Sequence, residues 1–151
     1  MNFYQKRYIY YPPICYDTGD KMIEFEKDIG TNAGKVWVSL SNKCPATKTE
    51  LKKETKLDDW MLHASLGWLA REGKVRREGE RYTLGKTNLV ETIGTNAGKV
   101  WNALKSSGAL NKRQLTSKTN LKEQELSASI GWLAREGKID WDEKTKTYKF
   151  K

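Results

Sequence analysis

The phrase IGTNAGKVW occurs at Ile29–Trp37 and again, letter for letter, at Ile93–Trp101. A second phrase, GWLAREGK, closes each copy at Gly67–Lys74 and Gly131–Lys138. Both recur at one offset of 64 residues, so neither copy carries an insertion between them. About half the positions agree across Ile29–Arg77 and Ile93–Trp141, the signature of a tandem duplication. The chain therefore divides into a leader, 1–21, and two small domains, 22–86 and 87–151. Domains of this size lie near the lower limit for an independent core, so the two are expected to pack on each other.

Charge follows the repeats. The chain has 28 Lys and Arg against 19 Asp and Glu. Residues 29–86 and 87–151 each hold 12 basic and 7 acidic side chains, a net +5 apiece. Such surfaces attract polyanions through counterion release. Cys15 and Cys44 lack metal-ligand spacing, and the position matching Cys44 is Gly108. They read as two thiols in a reducing compartment, and the chain as cytoplasmic. No apolar run approaches the roughly 20 residues that span a bilayer, so no membrane partner is expected. The first 17 residues have no h-region of a signal peptide. Five tyrosines and Pro12–Pro13 in the leader fit either an aromatic arm that docks on the repeats or a disordered extension.

In each copy a helix opens with Thr31 or Asn32 as its cap, and Ala33, Val36, Trp37 and Leu40 form its apolar stripe. Gly34 inside it costs about 1 kcal/mol relative to Ala, so a close neighbour is expected there. Thr47 and Glu50 make a capping box that starts a short second helix, and Asn111 with Gln114 repeats the device. A tight turn at Lys56–Leu57 leads to a third helix from about Asp58 to Glu72, with Leu62, Leu66 and Leu69 facing the core and Gly73 as its stop. Strands Val75–Glu78 and Arg81–Leu84 make a hairpin, matched by Ile139–Asp142 and Thr145–Phe150. Residues 85–92 read as the linker. The order helix, helix–turn–helix, β-hairpin specifies two tandem winged helix-turn-helix domains, mainly α with small β-hairpins.

The two phrases, in this order, resemble a small bacterial and archaeal winged helix-turn-helix family first catalogued as a domain of unknown function. The resemblance covers Ile29–Leu84 and Ile93–Phe150, and Met22 matches the family's usual start. It implies the fold, and it implies nucleic-acid binding by analogy. Family members are single domains thought to pair as homodimers, so this chain resembles a covalently linked pseudo-dimer.

A DNA-reading third helix presents polar side chains to base edges. Opposite the core stripe, the first copy offers Trp60, Ala64, Gly67 and Arg71 with Trp68 on the flank. The second offers Gln124, Ala128, Gly131 and Arg135 flanked by Trp132. An Ala-x-x-Gly strip beside a Trp suits protein packing better than base reading. Trp68 and Trp132 fit the domain core, a seam between repeats or chains, or base stacking. Asp58 and Asp59 oppose phosphate at the first copy's helix start. The second copy is the better reader, because Lys122, Gln124 and Ser127 replace Asp58, Trp60 and His63. Lys112 and Arg113 start its second helix, and Lys118 and Asn120 extend from the turn. Arg76, Arg77 and Arg81 in one wing, with Lys144 and Lys146 in the other, complete the candidate contacts. The bland alternative is a solvated basic surface.

No phosphate loop, metal cluster or paired nucleophile and base is present, and the one histidine, His63, reads as a solvated helix residue. The chain reads as non-enzymatic, without cofactor or small-molecule substrate. Two functions fit. One is nucleic-acid binding, DNA before RNA, with a transcriptional role. The other is a protein-interaction module whose third helices pack in a dimer or pseudo-dimer.

Overall fold

The computed structural model describes residues 21–151. Both readings of the leader, and Cys15, lie outside the described residues. The first repeat runs α1 (Lys21–Asn42), β1 (Ala46–Thr47), α2 (Lys48–Thr55), α3 (Asp59–Arg71), β2 (Val75–Glu78) and β3 (Arg81–Leu84). A π-helical turn at Val90–Gly94 opens the second repeat. It continues as α4 (Thr95–Ser107), α5 (Lys112–Thr119), α6 (Glu123–Arg135), β4 (Ile139–Asp142) and β5 (Thr147–Phe150). Each repeat is a winged helix.

Both capping boxes form. Thr47 Oγ1 accepts from Glu50 N at 3.2 Å while Thr47 N donates to Glu50 Oε1 at 2.9 Å. Asn111 and Gln114 do the same at 2.8 Å each way. In the antiparallel sheet β1–β3–β2, Ala46 pairs Tyr82 and Val75 pairs Leu84. The second repeat keeps this arrangement, with β1 reduced to one bridge, Leu110 to Tyr148.

The 64-residue offset stops at the wing. β5 begins at Thr147, not Thr145, because Tyr148 takes the place of Tyr82 and Phe150 that of Leu84 in the pairing. The second hairpin has a loop two residues longer, closed by Asp142 Oδ1 accepting from Lys144 N at 2.9 Å. The expected linker is also ordered. The Asn88 side chain bonds the Arg77 backbone both ways, at 2.9 and 2.8 Å, and seals the outer edge of β2.

The first helix departs most from expectation. It starts at Lys21, some ten residues before the expected cap, because Phe25 and Ile29 extend its apolar stripe onto the other repeat. Ile29 is buried in the second repeat's core, and Phe25 meets Tyr148 edge-on at 5.9 Å. The exchange is reciprocal, since Leu89 and Ile93 pack against the first repeat's core. Gly34 has no close neighbour: a Cβ built there meets nothing within 4 Å. The glycine in this phrase is not explained by packing.

Candidate nucleic-acid interface

The third helices meet each other. A Cβ added at Gly67 would stand 1.9 Å from the Ala128 carbonyl oxygen, and one at Gly131 would stand 1.8 Å from that of Ala64. No other residue type fits at either glycine without moving backbone. Ala64 is 0% exposed and Ala128 7%. Trp68 and Trp132 each pack against both repeat cores. Beyond the crossing the C-terminal ends are tied by two matching bridges. Arg71 Nε reaches Glu136 Oε2 at 2.8 Å, and Arg135 Nε reaches Glu72 Oε2 at 2.8 Å. Each guanidinium also lies over the other repeat's tryptophan, Arg71 on Trp132 and Arg135 on Trp68, both at 5.7 Å from the ring centre. The face that a major-groove reader presents to bases is therefore filled by protein.

The N-terminal ends of α3 and α6 flank a small cavity lined by Asp59, Trp60 and His63 from one repeat and Lys122, Glu123, Gln124 and Ser127 from the other. Ser127 cannot serve a base. It is fully buried, and its hydroxyl donates to the Gln124 carbonyl at 3.1 Å. His63 is buried rather than solvated, with its Nδ1 2.9 Å from the Asp59 carbonyl oxygen. Burial, more than any neighbouring charge, holds its pKa below the ordinary value. The sequence carried a signal for this, because His63 stands four residues before Gly67 on one helix face.

Most wing cations are engaged by acids. Arg76 binds Glu78 with its Nε at 2.8 Å, Arg77 meets Glu80 at 3.4 Å, Arg81 approaches Glu50 at 3.6 Å, and Lys146 pairs with Glu143. Lys112 pairs with Glu123 at 3.0 Å and caps the Trp60 ring from 4.1 Å. The first repeat's helix start is neutralised likewise. Asp59 faces Lys52 at 2.8 Å and Lys48 at 3.5 Å. The Lys52 contact, ahead of Lys48, holds its carboxyl below the usual range.

Among the described residues, Arg113, Lys118, Lys122 and Lys144 are exposed and form no ion pair with any other described residue. The first three lie along α5 and its turn into α6. Asn120 sits between them as the left-handed cap of α5, with φ 61°. Gln124 is exposed at the start of α6. Glu125 accepts from the Lys122 amide at 2.8 Å, so the α6 N-terminus already has a carboxylate. The long cationic side chains of Arg113, Lys118 and Lys122 are carried on α5 and on the turn into α6.

Among the described residues no group of His, Cys, Asp or Glu could hold a metal ion, and no helix is long and apolar enough to cross a membrane. The model of the winged helix-turn-helix domain DUF2582 matches residues 22–84 and again 87–151. No curated protein and no solved structure matches the chain.

Proposed function

Because the chain belongs to the winged helix-turn-helix family DUF2582, carried here as two copies, we propose that it is a non-enzymatic, cytoplasmic nucleic-acid-binding protein. It binds duplex DNA in preference to RNA and serves transcriptional regulation. It holds the duplex through phosphates, with the second repeat's α5 and the turn into α6, and not through a third helix laid in the major groove. One observation carries this reading. Three positions along that edge changed from Thr49, Glu54 and Asp58 in the first copy to Arg113, Lys118 and Lys122 in the second, and all three cations stand exposed without an ion pair to a described residue. Phosphate contact of this kind orients a protein on DNA and confers little sequence preference.

The alternative is a protein-interaction module whose third helices pack in a dimer or pseudo-dimer interface, a reading supported by the seam on which Gly67 and Gly131 meet the other repeat.

The test is fluorescence anisotropy of a labelled generic duplex across a salt series. Reversal of Arg113, Lys118 and Lys122 to Glu should weaken binding several-fold. It should also flatten the log–log salt slope by about 0.9 for each phosphate that is no longer neutralised. An unchanged affinity and slope would remove the edge from the account.

A further inference from the structure

The crossing of α3 and α6 is built from residues that are the same in both copies: Ala64 and Ala128, Gly67 and Gly131, Trp68 and Trp132, Arg71 and Arg135, Glu72 and Glu136. A seam made only of these would be as well satisfied by two first repeats, or two second repeats, from different chains. The bridges would simply become Arg71 to Glu72 of another copy.

The copies diverge where the N-terminal ends of the two helices meet. Asp58, Trp60 and His63 in the first correspond to Lys122, Gln124 and Ser127 in the second. These are the positions at or beside the cavity between the helices. The bulky Trp60 and buried His63 come from one side, and the smaller Gln124 and Ser127 from the other. Trp60 crosses to pack against the second repeat's core, with Lys112 of α5 over its ring at 4.1 Å. Asp59 and Glu123 both lie on the same cavity as Lys122.

We infer that this diverged corner is a pairing code, which directs the first repeat onto the second repeat of its own chain and away from like repeats of a second copy. Two first-type corners would bring Trp60 and His63 against their own duplicates, with Asp58 on both sides and no Lys122. Two second-type corners would set Gln124 and Ser127 against themselves and leave the Trp60 volume empty. Overpacking penalises the first pairing and a void the second. Specificity is gained by disfavouring the wrong partners as well as by fitting the right one. The pairing code does not depend on nucleic-acid binding.

A reciprocal exchange in the full chain tests it. Trp60→Gln with His63→Ser makes both corners small, and Gln124→Trp with Ser127→His makes both large. The four changes together move the large corner to the other repeat, where Lys48 occupies the position of Lys112 and can cover the ring. Urea midpoints and light-scattering mass are measured for all three. Each double variant should lower the midpoint, and the fourfold variant should recover most of the combined loss as a monomer. If the large-large pair fails to fold, renewed folding of the fourfold variant is the same rescue. A fourfold loss equal to the sum of the two, or no loss in either double variant, overturns the inference.

Discussion

Gly67 lies on the backbone of Ala128 so closely that one added carbon would stand 1.9 Å from its carbonyl oxygen. Gly131 repeats the arrangement on Ala64 at 1.8 Å. Backbone cannot give way as a side-chain tip can. Gly67→Ala should therefore cost about 3 kcal/mol or more, toward or beyond the upper end for overpacking. Gly34→Ala and Gly98→Ala, at helical sites where an added Cβ meets nothing within 4 Å, should each add about 1 kcal/mol. Urea denaturation of the three variants checks the opposite signs.

Ile29 belongs by sequence to the first repeat and by packing to the core of the second. Ile29→Ala should cost about 2–5 kcal/mol, as deletion of a buried branched side chain does. Amide exchange would locate the damage. Protection should fall around Leu126, Ile130 and Ile139, and a loss confined to the first repeat would contradict the crossover.

The two bridges across the seam differ in burial. The Glu72 side chain is 4% exposed and that of Glu136 is 16%. Arg135→Met leaves the more buried carboxylate with weaker compensation and should cost about 2 kcal/mol. Arg71→Met should cost about 1 kcal/mol, the difference arising from desolvation. Thermal or urea unfolding of both variants gives the order.

His63 is held below its ordinary pKa, chiefly by burial. On acidification the unfolded chain takes up a proton at its imidazole, near pH 6.5, before the folded chain does. Stability contributed by the neutral ring is thus complete above about pH 6.5 and is lost as pH falls from there toward the folded pKa. His63→Gln should flatten urea midpoints measured between pH 7.5 and about 5.5. An unchanged slope would place the ring in water.

Much of the fold was legible because its signals are local. The capping boxes at Thr47 and Asn111 and the apolar stripe of α3 need only neighbouring residues. The repeated phrase shows the duplication by itself, without reference to any element. What stayed hidden depends on the other repeat. The early start of α1 is explained by a partner for Phe25 and Ile29 that lies in a different domain. The two-residue shift in the second wing is visible only as strand register. His63 reads as solvated from its own helix because its burial comes from α6, and only its place four residues before Gly67 hints at it. Among the candidate nucleic-acid residues, sequence gives the sign of each charge but not its partner. Arg76, Arg77, Arg81 and Lys146 meet acids, while Arg113, Lys118, Lys122 and Lys144 form no ion pair with a described residue.

The most direct measurement is a two-dimensional amide NMR titration of the isotope-labelled protein with a short generic duplex at low salt. The account predicts shifts along residues 112–124 of the second repeat, reversed by added salt, with Ala64–Arg71 and Ala128–Arg135 unmoved. Shifts concentrated in those two seam segments would mean that the third helices part and read DNA themselves. A spectrum unchanged at every residue would mean that the basic edge meets only water.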